Sequence, residues 1–226
     1  MLNKVTKADC SEILPNIPNK SIDLVVTDPP YNMAYSGRGK TREQHFEGFD
    51  NDDMNPEEHS EWFFRILKEL HRVLKDDTAI YIFIDFRNYA RIYQLVNAFF
   101  DIKNCIVWNK KVFGMGQCYR FQHEFIIYAH KGKPTLRLPK KNVPDVWDIG
   151  KINTQEYCHP TMKPIAVMAL PIKHSSDKGG IVLDPFIGSG TTAMACKELD
   201  RNYIGIEIDE EYANFSNKRT NQQTLF

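Results

Sequence analysis

With 226 residues, 42% hydrophobic and 26% charged, the chain has the size and composition of a water-soluble protein of one large α/β domain, alone or with a small appendage. Its start holds no apolar stretch of signal-peptide length, its longest apolar run (AIYIFI) is too short to cross a bilayer, and five scattered cysteines (Cys10, Cys105, Cys118, Cys158 and Cys196) without a CxxC pair argue against a disulfide framework and for a reducing cytoplasm. The formal net charge of zero hides an asymmetry: residues 101–141 carry nine Lys or Arg against two acids, and residues 43–61 carry eight acids, so a basic surface for a polyanion and mere solvation of loops are both open readings.

In chain order, VTKAD predicts a short strand and SEILPNI a brief helix. SIDLVVTD predicts a second, buried strand. Residues 32–55 are rich in Gly, Asn and Asp, lack periodicity and read as a long loop, which inside a compact domain is usually functional or disordered. PEEHSEWFFRILKELHRVLK has proline in its first turn, early acids and late bases, and its Phe63, Ile66, Leu67, Leu70, Val73 and Leu74 follow helical spacing. AIYIFIDF is strand-like, RNYARIYQLVNAFF helical, and DIKNCIVWNK and EFIIYAH strand-like again. Residues 131–160 are irregular. PTMKPIAVMALPIKHS predicts a helix, with Pro164 near its start and Pro171 as a kink or stop. GIVLDPF is a buried strand, SGTTAMACKELDR a helix, NYIGIEID a strand and EEYANFSNKRTN a closing helix. This alternation predicts an α/β fold with crossover connections and a mostly parallel sheet, in one domain over 1–226.

Ligands of such sheets bind beyond the carboxyl ends of the strands, and three of those ends are unusual here. The second is Asp184-Pro185-Phe186-Ile187-Gly188-Ser189-Gly190-Thr191-Thr192. Gly188 and Gly190 allow a tight turn and close approach to a ligand, ahead of a helix with free amides. No lysine follows, so this is not a P-loop. The stretch matches G-x-G-x-x-A, and the third end, Glu207-Ile208-Asp209, supplies an acid for ribose hydroxyls. Any adenosine-containing cofactor fits these features, NAD and S-adenosylmethionine alike.

The first end, Asp28-Pro29-Pro30-Tyr31, separates the two. Two prolines fix two φ angles and remove two donors, leaving rigid carbonyls free to accept. Asp28 adds a side-chain acceptor and Tyr31 a flat face. This suits the exocyclic amine of a planar base: two acceptors localise its lone pair while the aromatic stacks on the ring. An NAD-linked oxidoreductase would need a hydride-transfer site that the sequence does not show, and a catalytically silent DNA-binding protein would not need both half-sites.

DPPY followed by DPFIGSGTT resembles the amino-directed DNA methyltransferases, in the permuted order of their beta group, with matches over residues 5–212. The resemblance implies a Rossmann-like S-adenosylmethionine-dependent fold with helices on both faces. The reaction it implies is methyl transfer to N6 of a flipped-out adenine, since DPPY leans toward adenine in this family and SPPY is commoner for cytosine; N4 of cytosine is the alternative by the same mechanism. KADCSEIL would bring Asp9 and Cys10 to the cofactor adenine, although Ala8 stands where the family more often has glycine. HPTMKP, with His159, Thr161 and Lys163, resembles the segment that closes over the methionine part. Asp28, Asp184, Phe186, Gly188, Ser189, Gly190, Thr191, Thr192, Glu207 and Ile208 complete the implied cofactor site. Asp28, Pro29, Pro30 and Tyr31 form the implied catalytic one.

The implied partner is double-stranded DNA, with a second copy of the chain and a cognate restriction enzyme as further partners open to such a protein. Lys110, Lys111, Arg120, Arg137, Lys140 and Lys141, with Arg38, Lys40 and Arg42 from the 32–55 loop, would contact phosphates. Only residues 133–158 remain for target recognition besides that loop, which is short. His123-Glu124 reads as an anchor of its local turn, and Cys158-His159 has no partner pair of zinc-ligand spacing. Trp108 and Tyr119 read as packing or base-stacking residues, and Trp62, Phe63 and Phe64 as core and rim of an amphipathic helix or as a dimer face.

Overall fold

Alternating apolar residues in the strands bury both faces of one sheet. The computed structural model describes residues 1–32, 54–114, 116, 118–133, 143–151 and 162–221. Among these, the strands are β1 (Lys4–Lys7), β2 (Ile22–Thr27), β3 (Leu74–Ile84), β4 (Asp101–Asn109), β5 (His123–Lys131), β6 (Val146–Asp148), β7 (Ile181–Asp184) and β8 (Asn202–Glu207). The helices are α1 (Cys10–Ile13), α2 (Pro56–Val73), α3 (Phe86–Asn97), α4 (Ile165–Ser175), α5 (Thr191–Glu198) and α6 (Glu210–Asn221). The strand order is β1-β8-β7-β2-β3-β5-β4-β6. In β3, Ile80, Ile82 and Ile84 pack under α1, α2 and α3, while Ala79, Tyr81 and Phe83 pack with α4, α5 and α6 on the other face. The helices therefore cover both faces, as expected.

Local chemistry starts and stops these elements. The Asn55 side chain caps α2 by accepting from the Glu57 amide at 3.0 Å, Pro56 opens the helix, and His71 and Arg72 sit in its last turn. Leu74, expected within that helix, leaves it with ψ 136° and begins β3. Pro171 lies inside α4, which runs on to Ser175, so it is not a stop.

The sheet is mostly parallel, but β5 pairs antiparallel with both β3 and β4. The crossover expected between β4 and β5 is a reversal, because residues 110–122 are too few and too glycine-broken for a crossover helix. Strand β6, in the stretch read as irregular, is only three residues long with one buried side chain, Trp147, so it has no visible period.

β2 and β7 pair side by side and in parallel, which brings their carboxyl ends together. There the Asp184 carboxylate, 1% exposed, accepts from Thr27 Oγ1 at 3.0 Å, Thr192 Oγ1 at 2.6 Å and the Phe186 amide at 3.1 Å. Burial pushes its pKa up to about 7, against the pull of these three donors. The folded protein thus holds this proton more tightly than the unfolded chain, where an aspartate titrates near about 4. The resulting stabilisation is complete below the unfolded value and is lost as pH rises through about 7. Urea unfolding between about pH 4 and pH 8 should therefore show a decline in stability that is smaller in Asp184→Asn.

Candidate active site

The segment leaving β2 is fixed at every residue. Pro29 is buried, and the Pro30 carbonyl accepts from His59 Nε2 at 3.3 Å. No donor among the described residues bonds the Pro29 carbonyl. The Tyr31 carbonyl accepts from Asn88 Nδ2 at 2.6 Å. Asn32, at φ 54°, grips Met54 through both ends of its amide, at 2.9 and 2.7 Å, so the two ends of the long insertion are pinned together. The Tyr31 hydroxyl donates to Asp28 Oδ1. Burial, then the Asp28 charge, drives this phenol well above its ordinary pKa, so it remains a donor.

The second oxygen of Asp28 accepts from Lys163 Nζ at 2.5 Å. Lys163 is 7% exposed and lies 3.2 Å from Glu124 Oε2, while Lys110 donates to Glu124 Oε1. The ammonium of Lys163 also sits 4.9 Å from the centre of the Phe83 ring and 6.0 Å from those of Tyr31 and Trp108. Burial opposes its charge, but Asp28 and Glu124 outweigh it and push the pKa above the ordinary lysine value. Burial likewise opposes the charge of Glu124, and Lys163 and Lys110 hold its pKa well below the carboxylate range. Tyr31, Asp28, Lys163, Glu124 and Lys110 thus form one chain of alternating charge, linked by hydrogen bonds except between Lys163 and Glu124, which meet as an ion pair.

Beside this chain lies a groove of about 310 Å³, counting the part open to solvent. Its wall is drawn from four adjacent strand ends: Asp9 and Cys10 after β1, Glu207 and Ile208 at β8, Pro185 and Phe186 after β7, and Pro30 after β2. Trp62 of α2 closes it, 5.6 Å from Phe186 between ring centres. Asp9 caps α1 by accepting from the Ser11 amide at 2.7 Å. Glu207 accepts from the amides of Gly188 at 2.8 Å and Asp209 at 3.0 Å, and burial raises its pKa. Burial also pushes the Cys10 thiol far above its usual value, so it is an apolar wall residue and not a nucleophile. Gly188, at φ 51°, turns its amide onto Glu207. Gly190, at φ 80°, caps α5 where a Cβ would meet Ser216 Oγ at 2.1 Å, so α6 packs closely against it.

Several expectations need correction. Asp184 and Thr192 are buried and spent on each other, so they shape the loop instead of facing the groove, and Ser189 and Thr191 are buried beside them, 3.3 Å apart through their hydroxyls. Lys163 meets Asp28 rather than the groove. Lys110, expected on DNA, is turned inward, its side chain 15% exposed. Glu124, read as a turn anchor, belongs to the site, as does His59, which carried no distinguishing signal in the sequence. Trp108 is buried, donating to the Ile149 carbonyl at 2.7 Å. Lys111 and Arg120 are exposed on the β4–β5 reversal, with Phe113 and a 90% exposed Tyr119. His159, Thr161, Arg38, Lys40, Arg42, Arg137, Lys140, Lys141 and the Cys158-His159 pair lie outside the described residues.

Comparison with known proteins identifies the family. The profile of a family described as DNA methylase (N6_N4_Mtase) matches residues 22–218. The chain is 35% identical to the Type II methyltransferase M.HinfI of Haemophilus influenzae, over 96% of this chain and 68% of that one. It is 32% identical to the DNA adenine methyltransferase YhdJ of Escherichia coli K12, over 95% and 81% of the two chains. A crystal structure of M1.HpyAVI with S-adenosylmethionine superposes with a TM-score of 0.72 at 28% identity, covering 97% of this chain and 99% of that one. With two motifs on adjacent strand ends and a family match over most of its length, the chain belongs to the N6/N4 DNA methylase family.

Proposed function

We propose that this DNA methylase transfers the methyl of S-adenosylmethionine to the N6 amine of an adenine turned out of duplex DNA. The observation that carries this reading is that the cofactor groove and the amine-holding segment share a wall. Pro30 lines the groove, while its neighbours Asp28 and Tyr31 point into the charged chain beside it. The groove suits an adenosine: Phe186, Trp62, Pro185 and Ile208 supply apolar and aromatic surface, and Asp9 and Glu207 supply acceptors for amine or hydroxyl groups. Glu207 uses one lone pair on each oxygen for loop amides and keeps the others for a ligand. When bound, the cofactor supplies an electrophilic methyl on a sulfonium.

The residues of the chain supply position and charge. Asp28 and the Pro29 carbonyl accept the two hydrogens of the target amine and localise its lone pair, which otherwise delocalises into the ring. Tyr31 offers its face to the base, and a stack of this kind contributes about 1–3 kcal/mol toward the few kcal/mol that extrusion costs. Nitrogen would form its bond to the methyl carbon as the carbon–sulfur bond breaks and the sulfonium becomes a neutral thioether, and a nitrogen proton would then pass to solvent water, so Asp28 acts as an acceptor and need not be a strong base. Catalysis is then mostly positioning. Lys111 and Arg120 on the β4–β5 reversal give salt-sensitive phosphate contacts that carry no sequence information.

Aspartate at position 28 favours adenine, and the relative named an adenine methyltransferase supports it. N4 of cytosine is the second reading, since the same acceptors would hold that amine. The Type II relatives support a cognate restriction enzyme as partner, and a DNA substrate with free cysteines fits the cytoplasm.

Nucleoside mass spectrometry of unmethylated duplex DNA, incubated with the protein and S-adenosylmethionine, should show N6-methyladenine, reduced at least about 100-fold in Asp28→Ala. N4-methylcytosine in its place would overturn the base assignment, and no modified nucleoside would overturn the reading itself. By calorimetry, Phe186→Ala should weaken S-adenosylmethionine by about 10-fold, in keeping with a stacked aromatic. Unchanged affinity would remove Phe186 from the cofactor site.

A further inference from the structure

Lys163 stands in the segment whose resemblance assigns it to the cofactor, yet its ammonium ends on the Asp28 carboxylate. The geometry points to Lys163, backed by Glu124, as a positioning residue for methyl transfer: it aims Asp28 at the target amine. This inference rests on the reading of Asp28 as the amine acceptor.

An aspartate carboxylate turns easily about its last torsion and can present either edge. Here one oxygen accepts from Tyr31 and the other from Lys163, so the plane of the group is set from both ends. Each oxygen has about two acceptor sites, which leaves one per oxygen for an amine hydrogen. A bond from an ammonium is charge-assisted, shorter and about twice as strong as one from a neutral donor.

Lys163 is itself held. Glu124 takes it from the far side at 3.2 Å, and Lys110 balances Glu124, so the four charged groups sum to zero in a site that must admit an uncharged base. Phe83, Tyr31 and Trp108 surround the ammonium with ring faces and edges. Pro164, the cap of α4, follows it directly and restricts the backbone at its root. Nothing in this arrangement requires the cofactor, since Lys163 is absent from the groove wall.

The test is a double-mutant cycle on single-turnover methylation at saturating S-adenosylmethionine, with wild type, Lys163→Met, Asp28→Asn and the double variant. Asp28→Asn keeps one acceptor oxygen and hence a measurable rate. If Lys163 acts through Asp28, Lys163→Met slows transfer about 10-fold or more in the wild-type background and less than about twofold beside Asp28→Asn, the non-additivity of contacting groups. Cofactor affinity, measured by calorimetry, should change by less than about twofold. Glu124→Gln, which loosens Lys163 without removing it, should give a smaller loss that also vanishes beside Asp28→Asn, and it decides by the same criterion if Lys163→Met does not fold. Equal losses in both backgrounds, or a loss confined to cofactor affinity, would overturn the inference while leaving the amine-methylation reading in place. Absence of transfer by the wild-type protein would overturn both.

Discussion

The buried carboxylate of Asp184 is the constraint on which the site depends. Thr27 and Asp184 lie 157 residues apart in sequence, and the hydrogen bond between them fastens the end of β2 to the end of β7. The same carboxylate takes the Thr192 hydroxyl and the Phe186 amide, which fixes the turn into α5. Its donors are two hydroxyls and one amide, all neutral. Burial without a cation disfavours the ionised form, which explains the raised pKa. The protein accepts that cost where a rigid junction is needed, and the DPPY segment and the glycine loop come out in fixed relation.

From that junction the site divides along the strand order. Toward one edge, β7, β8 and β1 contribute the wall of the groove. Toward the other, β3, β5 and β4 contribute Phe83, Glu124, Trp108 and, just past β4, Lys110, which surround Lys163. β2 stands between the two sets, and its exit segment touches both: Pro30 in the groove and Asp28 in the charged chain. In the proposed reaction, the central position of β2 brings methyl donor and methyl acceptor to one point.

The sequence made the fold class and the groove-lining strand ends legible because their signals are local. Strand patterning, the helical spacing of Phe63 to Val73, and the carboxylates at strand ends can each be read within a few residues. What it hid depends on distance. Asp184 looked like a ligand contact because its motif is cofactor-facing, and only the register of β2 against β7 shows that it is spent on Thr27 and Thr192. Gly190 reads as space for a ligand until Ser216, on the last helix, is seen against it. Lys110 counted as one more basic residue in a basic stretch, because a sum of charges does not tell an inward side chain from an outward one. His59 follows helical spacing on α2, and only the fold brings its ring to the Pro30 carbonyl.

The antiparallel strand explains why the charged chain could not have been foreseen from a parallel plan. In a parallel sheet the first residues of a strand lie at the edge opposite the ligand. β5 runs against β3 and β4, so its start pairs with their ends: Phe125 opposite Ile84, and Glu124 opposite Trp108. That reversal delivers Glu124 to the same edge as Asp28, where Lys163 can bridge the two carboxylates. Removing either carboxylate would leave a buried charge poorly balanced, and removing the lysine would leave two carboxylates facing each other. The Asp28 carboxylate is thus held by a network that spans β2, β5 and the root of α4. The antiparallel β5, which breaks the parallel order among the described strands, makes that network geometrically attainable.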